Sequence, residues 1–478
     1  MSSLLRALNR PVVAVVAVGI IAAIIRFNHL GYPQHSVFDE YYYPKSACIF
    51  LGYSNERCRI NSADERFWRN DRNDTGAWVH PPLGKWAIAA GELAVGTDSY
   101  GWRVSSAVAG TATVVALAVI VQLLFASALW TFVGGLLLAV ENLNVVLSRT
   151  GILDIFVTLW IVLGFMLILL DRRWIESRTP EPPPREAPED AEAETPRPRF
   201  PIPLWRPWRF AAGAAFGAAV ATKWSGLTGI AAAVLLSYVW EASRRRRWGL
   251  SHPLRRAISI ETYGLAITFL MVPLGVYLLS YLGWFVHFGW DFNRWATEQR
   301  LAFDFQTGLR SSEEGNAYQS GAWQWLLLWR PILFYRVDGP AFVKAIYANG
   351  NPAIFWGSLV AIPYTVLAWI RRRDWRAGFI AITVLALYLP WFLSSHPEYL
   401  FYAGPLSPFL VLACVYMLKA MTEWTVRKGE KTYRPLLPVA AAFVVLAVGL
   451  FVFFWPTLTA GRLSTEAFRA RMWFPSWG

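Results

Sequence analysis

Asp39 and Glu40 stand side by side in the run Val37-Phe38-Asp39-Glu40-Tyr41-Tyr42-Tyr43-Pro44-Lys45, shortly after an apolar segment that ends near residue 27. A carboxylate in that position can take a proton from a hydroxyl or help hold a divalent cation. The same stretch later reaches His80-Pro81-Pro82-Leu83-Gly84-Lys85-Trp86, and Arg26 and Arg103 flank it. Arg suits two-point recognition of a phosphate, and Lys meets one as a point charge. Arg26, Lys85 and Arg103 read equally as lipid-headgroup anchors, because long cationic side chains reach toward the interface. Residue type alone leaves both readings open.

Further along, Glu141, Asn142, Asn144, Arg149 and Asp154 interrupt apolar sequence, and Arg149 could pair with Asp154 if the chain bends at Gly151. An ionisable pair at membrane depth is either a functional site or an ion pair that fixes a hairpin. Lys223-Trp224 is a similar interruption. The late turn Ser394-Ser395-His396-Pro397-Glu398-Tyr399 carries a His and a Glu. His396 lacks a second His or Cys at metal-ligand spacing, so it reads as a hydrogen-bonding partner for sugar or phosphate rather than a zinc ligand. Cys48 and Cys58 share one segment, and a disulfide between them stays open; Cys414 reads as packing. Walker, dinucleotide-binding and metalloprotease motifs are absent from the sequence, which weakens ATP-driven transport and intramembrane zinc proteolysis.

The elements that must position these residues are membrane helices. The chain has 478 residues, 55% hydrophobic and only 16% charged, with 26 Trp. A soluble chain would carry about a quarter charged residues. Apolar runs near 11–27, 103–126, 129–147, 151–170, 208–223, 225–241, 261–282, 353–370, 377–393, 400–418 and 436–455 predict about eleven transmembrane helices, each needing about 20 residues. The formal net charge of +13 is then topology rather than a nucleic-acid footprint. Lys and Arg are roughly threefold denser in 1–10, 171–209, 241–260, 371–376 and 419–434 than in 28–101, 283–351 and 456–478. Positive charge marks the cytoplasmic side, so the N-terminus is expected inside and the C-terminus outside. Within 28–101, Leu83 onward reads as a helix too short to span. The segment 178–207, rich in Pro and alternating charge, reads as a flexible cytoplasmic linker. The Trp- and Tyr-rich loop 283–351 suits sugar stacking and a membrane interface alike.

Assembled in order, these residues resemble the protein O-mannosyltransferases, polyprenyl- or dolichyl-phosphate-mannose-dependent enzymes of the GT-C glycosyltransferase superfamily. The resemblance rests on Arg26-Phe27, Val37-Phe38-Asp39-Glu40, His80-Pro81-Pro82-Leu83-Gly84-Lys85, Trp102-Arg103-Val104, Ser148-Arg149-Thr150-Gly151-Ile152-Leu153-Asp154 and Ala221-Thr222-Lys223-Trp224-Ser225-Gly226-Leu227. It implies an all-α GT-C membrane domain over 1–478, similar to a bacterial, actinobacterial form, with 283–351 too short to hold the MIR domain of eukaryotic members. It implies transfer of one mannose from polyprenyl-phosphate-mannose to Ser or Thr of secreted or membrane proteins. These acceptors would be met at the outer face of the plasma membrane, with the Sec translocon as one candidate meeting place. In that reading Asp39 is the base of an inverting reaction and Glu40 supports it. Arg26, Arg103 and Lys85 neutralise the donor phosphate, while His80, Arg149, Asp154 and His396 shape the site. No cofactor is required, a divalent cation (Mg or Mn) stays open, and membrane lipids rather than nucleic acid are the surroundings. The rival readings are a GT-C transferase acting on a cell-wall glycan or lipid, and a transporter of a lipid-linked sugar.

Overall fold

The computed structural model of the chain describes residues 10–59, 79–179, 205–308 and 317–477. The expected linker 178–207 therefore falls almost wholly outside the described residues.

Helix α1 (Pro11–Phe27) opens with Pro at its first position, where a missing N–H costs no hydrogen bond. Ala14, Val18, Ala22 and Arg26 turn inward, whereas Val12, Val16, Ile20 and Ile24 are exposed. A spacing of four puts each set on one face. A bare stripe of Val and Ile on such a helix suits contact with lipid rather than water. A 3-10 turn at Phe38–Tyr41 and a short helix α2 (Tyr43–Phe50) follow. Next comes α3 (Leu83–Val95), the short non-spanning helix expected there. Cys48 in α2 is bridged to Cys58, with α-carbons 5.6 Å apart.

The first half continues with α4 (Gly101–Phe125), α5 (Ala128–Ala139) and α6 (Asn142–Ser148). It closes with α7 (Asp154–Glu176), α8 (Pro207–Thr222) and α9 (Leu227–Arg247). α5 and α6 meet at a 64° bend. Glu141 makes that bend possible: its carboxylate accepts the Leu143 and Asn144 N–H groups that start α6 and also the Asn351 N–H. Helix N-termini leave such donors orphaned, and here one buried side chain satisfies them. α10 (Pro253–Ala266) runs through a π-helical turn at Ile267–Met271 into α11 (Val272–Ser280). At that turn α8 comes so close that a Cβ on Gly213 would lie 1.9 Å from the Thr268 carbonyl oxygen.

The second half holds α12 (Leu282–Phe288), α13 (Phe292–Gly308) and α14 (Ala322–Trp325), then strands β1 (Ile332–Gly339) and β2 (Phe342–Ala348). Helices α15 (Pro352–Arg372), α16 (Trp375–Tyr388) and α17 (Ser407–Glu423) follow. The hairpin β3 (Val426–Lys428)–β4 (Lys431–Tyr433) leads to α18 (Leu437–Leu458), β5 (Leu463–Ser464) and α19 (Thr465–Arg469). The expectation of an all-α chain needs correction here. β1 and β2 pair antiparallel from Ile332 opposite Ala348 to Gly339 opposite Phe342, and β5 adds a third strand. Ile, Leu, Phe, Tyr and Val suit a half-buried pleated surface, although aromatics so dense fit a loop at the membrane interface equally well.

Each of the eleven apolar segments is helical, but length and composition qualify fewer of them as spans. Among the described residues seven helices are long and apolar enough to cross a membrane, or eight when the bent α5–α6 pair is counted as one. α1, α8 and α17 have 17, 16 and 17 residues. α7 packs along α8 and α4, and α4 along α1, so the first loop sits on the end of one continuous apolar core.

Candidate active site

The stretch between α1 and Asp39 is held by two arginines from other elements. Arg149, which ends α6, donates from Nη1 to the carbonyls of Ile25 (3.1 Å), Arg26 (2.9 Å) and Asn28 (2.7 Å), and from Nη2 to that of His29. It thereby caps the last turn of α1, whose carbonyls have no partner within the helix. Arg103, in the first turn of α4, donates to the carbonyls of Leu30 (3.2 Å), Pro33 (2.8 Å) and His35 (3.1 Å). Its Nε and Nη2 both reach the Glu40 carboxylate at 2.7 Å. All the N–H groups of Arg103 are thus used.

Glu40 is equally committed. Besides Arg103 it accepts the N–H of Val37 at 3.0 Å and of Gly151 at 2.7 Å, and the residue has no solvent exposure. One carboxylate therefore ties the first loop, α4 and the α6–α7 junction together. Glu40 and Arg103 thus spend their hydrogen-bonding groups on each other and on the loop that carries Asp39. Arg26 differs little: it donates from Nε to Ser148 Oγ, from Nη1 to the Ala22 and Ala139 carbonyls, and from Nη2 to Asn144 Oδ1, and it is wholly buried. The Arg149–Asp154 pair is not formed. Arg149 is drawn to the end of α1, and Asp154 instead bonds Lys223 Nζ at 3.0 Å.

Asp39 lies between Phe38 and Glu40 in the 3-10 turn, with its side chain partly accessible. Phe38 has φ +50°, a left-handed conformation costly for a bulky residue. Its ring stacks on Phe334 of β1 at 4.2 Å and meets Phe401 edge-on at 5.4 Å. The strand that the sequence left unread thus clamps the residue before Asp39.

Around Asp39 the structure gathers groups from five segments: Tyr43, His80, Asp154, Lys223 and Tyr402. Burial pushes the Asp39 carboxyl up to about 7; Lys223 opposes this and Asp154 adds to it. Burial, reinforced by Asp39 and Asp154, holds the Tyr43 phenol well above its usual range, so it stays protonated. His80 is kept neutral by burial and by the nearby Lys223, Lys85 and His396. Lys85 donates to the His80 carbonyl at 2.9 Å, and burial lowers its ammonium to about 7. Lys223, at the extended residue that ends α8, lies over the Tyr402 ring at 4.6 Å. A small cleft beside it is lined by Asp154, Lys223, Ser225, Trp391, Tyr402 and Leu406. On the rim, His396 Nδ1 lies 2.7 Å from the Pro397 carbonyl, and burial raises Glu398 to about 7 against a hydrogen bond from the Ala322 backbone. His396 Nε2 and Glu398 Oε1 are buried without a hydrogen-bond partner among the described residues.

Lys223, Tyr43 and Tyr402 were not among the candidate site residues. Lys223 carried a usable signal, a lone charge at a break between two apolar runs. The tyrosines carried none that separates them from an interfacial belt. Among the described residues no group of three or more His, Cys, Asp or Glu side chains gathers as a metal cluster.

The chain is thus a helical membrane domain with a carboxylate-bearing first loop held over the end of its bundle. The fold is similar to the Saccharomyces cerevisiae protein O-mannosyltransferase Pmt1–Pmt2 complex bound to the sugar donor, with a TM-score of 0.70 at 13% identity over 98% of this chain and 92% of that one. It is also similar to the Archaeoglobus fulgidus oligosaccharyltransferase in the apo form (TM-score 0.55, 10% identity, 97% of this chain and 58% of that one). Residues 16–179 match the family model described as dolichyl-phosphate-mannose-protein mannosyltransferase, and 291–477 match the C-terminal four-TMM region of protein-O-mannosyltransferase. The chain is 30% identical to a polyprenol-phosphate-mannose–protein mannosyltransferase of Mycolicibacterium smegmatis, over 96% of this chain and 91% of the relative. A relative of the same description from Corynebacterium glutamicum is 27% identical over 96% and 92%. The chain belongs to the dolichyl-phosphate-mannose–protein mannosyltransferase family.

Proposed function

We propose that this protein transfers mannose from polyprenyl-phosphate-mannose to Ser or Thr hydroxyls of exported proteins, with Asp39 as the base. The observation that carries the assignment is Asp39 itself, a carboxyl in the first loop raised to about 7 by burial and within electrostatic reach of the Lys223–Asp154 pair. An ordinary carboxylate, at about 4, is a weak base; one near 7 is matched to proton transfer at neutral pH. The acceptor oxygen attacks the mannose anomeric carbon as the bond from that carbon to the phosphate oxygen breaks. The hydroxyl proton passes to Asp39, and the lipid phosphate leaves with the bond's electron pair. Inversion needs only this one base, on the face away from the leaving group.

Positive charge at the leaving phosphate is assigned to Lys223, with Lys85 behind it, in place of Arg26 and Arg103. Lys223 lines the cleft and, among the described residues, hydrogen-bonds Asp154, so its ammonium has donors left for a phosphate oxygen. Tyr43, held protonated, and Tyr402, whose ring lies under Lys223, supply hydroxyl donors in the same cluster. Glu40, Arg103 and Arg149 hold the Asp39 loop in place, and His80, His396 and Glu398 shape the acceptor side. A divalent cation in this cleft would have to draw most of its ligands from the substrate's phosphate. The topology we favour has eleven spans, N-terminus inside and C-terminus outside, in the plasma membrane, with Asp39 facing outward and acceptors delivered at the Sec translocon. The dense Lys and Arg segments at the far bundle end support it. Membranes containing the Asp39→Asn variant, incubated with polyprenyl-phosphate-mannose and a Ser/Thr-rich peptide, test the assignment. Transfer should be lost while the protein stays inserted.

A further inference from the structure

At the end of the bundle remote from Asp39 lies a cavity that mannosyl transfer does not use. Arg172 on α7 lies about 27 Å along the helix from Asp154, at 1.5 Å per residue. The cavity is about 500 Å³, within the range of small-molecule sites, and lies between the ends of α7, α9, α15 and α16. Its walls differ in character. Val239, Trp240, Trp369, Trp375 and Ile382 make an apolar side, and Arg172, Arg246, Arg247 and Arg373 make a cationic one.

Arg172 is 8% exposed and sits between two indoles, 3.9 Å from the Trp375 ring centroid and 5.0 Å from that of Trp240. Its Nη2 reaches Glu176 at 2.7 Å, while its buried Nε has no hydrogen-bond partner among the described residues. Glu176 also meets Arg247 at 3.3 Å, so this one carboxylate serves two guanidinium groups. Arg246 and Arg373 pair with no carboxylate among the described residues. Neighbouring acids are spent elsewhere: Asp171 on Arg206, Glu241 on Arg244 and Arg245, and Asp374 on the Tyr416 hydroxyl and the start of α16. On the cationic wall only Arg172 is buried; Arg246, Arg247 and Arg373 are exposed at the cavity's rim, and a rim this rich in positive charge and short of carboxylates attracts an anion. Guanidinium groups favour phosphate oxygens in two-point contacts. The Trp, Val and Ile wall, continuous with lipid-facing helices, suits the glycerol and upper acyl carbons of a lipid better than a free ion.

We propose that this cavity binds the phosphate of an anionic lipid headgroup from the leaflet opposite the Asp39 site. Native mass spectrometry of the full chain in detergent, with dioleoylphosphatidylglycerol, dioleoylphosphatidylcholine or inorganic phosphate added, tests it. The wild type should retain phosphatidylglycerol at least fivefold more than phosphatidylcholine. The double variant Arg246→Gln/Arg373→Gln, which changes only exposed side chains, should lose that preference while keeping its melting temperature and mannosyl transfer in phosphatidylcholine nanodiscs. Arg172→Gln should lose it as well. Equal retention of phosphatidylglycerol by wild type and double variant would overturn the proposal. Inorganic phosphate bound in preference to the lipid would also overturn it, by making the ligand a soluble anion.

Discussion

Glu40 and Arg103 form a two-point ion pair, Nε to Oε1 and Nη2 to Oε2 both at 2.7 Å, with the two residues 0% and 1% exposed. The pair joins the residue next to Asp39 to the first turn of α4, and Gly151 and Val37 fill the remaining carboxylate positions. Asp39 is free to react because its neighbour is not.

Removing one partner of this pair leaves the other charged, buried and alone, a loss of about 3–5 kcal/mol. Arg103→Ala and Glu40→Ala should therefore lower thermal stability and abolish transfer together, whereas Asp39→Asn should lower transfer alone. Melting curves of the purified variants beside their activities check this. A normally stable Glu40→Ala variant would contradict the anchoring role.

The pH dependence of kcat/KM should report the Asp39 carboxyl. Its basic form populates as pH rises through about 7, so the rate should climb across that interval and then level. Asp154 raises the Asp39 pKa and Lys223 lowers it. Asp154→Asn should move the acid limb to lower pH, and Lys223→Met should move it higher. A limb that ignores both substitutions would remove Asp39 from the titrating role.

Lys223 should also be visible in the donor. Lys223→Met removes the charge placed at the leaving phosphate, and loss of one such contact typically costs about 100-fold or more in rate. Arg26→Lys and Arg149→Lys should act chiefly on stability instead. Initial rates against polyprenyl-phosphate-mannose concentration separate the two groups.

Reduction of the Cys48–Cys58 bridge reopens a short loop beside α2, worth about 2–3 kcal/mol on loop-closure grounds. Cys48→Ser/Cys58→Ser should lower the melting temperature in oxidising buffer, and dithiothreitol should bring the wild type down to the same value. A variant as stable as the oxidised wild type would show that the bridge contributes nothing.

The helices and the place of Asp39 were legible because apolar length and a carboxylate just beyond it are local signals. The 13-residue α3 was legible too, from the prolines before Leu83 and the apolar run after it. The partners of the arginines were not legible, because a positive side chain near a membrane end looks the same whether it faces a phosphate or a backbone carbonyl. What separates these cases is contact over long sequence distance, such as Arg149 with Asn28 or Arg103 with His35. Lys223 faces Asp154 across 69 residues, and a neighbour on the chain, Arg149, competed for that carboxylate on paper. β1 was hidden because its aromatics also fit an interfacial belt, yet Phe334 sets Phe38 and hence the Asp39 turn.

The most direct measurement is mannosyl transfer by purified wild type and Asp39→Asn in the same bilayer. Polyprenyl-phosphate-mannose and a Ser/Thr-rich peptide are supplied, and product is read by mass spectrometry. The account predicts a peptide gaining one α-linked mannose with the wild type and at least a 1,000-fold lower rate with the variant, at the upper end of what one acid–base group contributes, about 10²–10⁴. Near-normal transfer by Asp39→Asn, or labelled glycan or lipid with no mannosyl-peptide from the wild type, would contradict it.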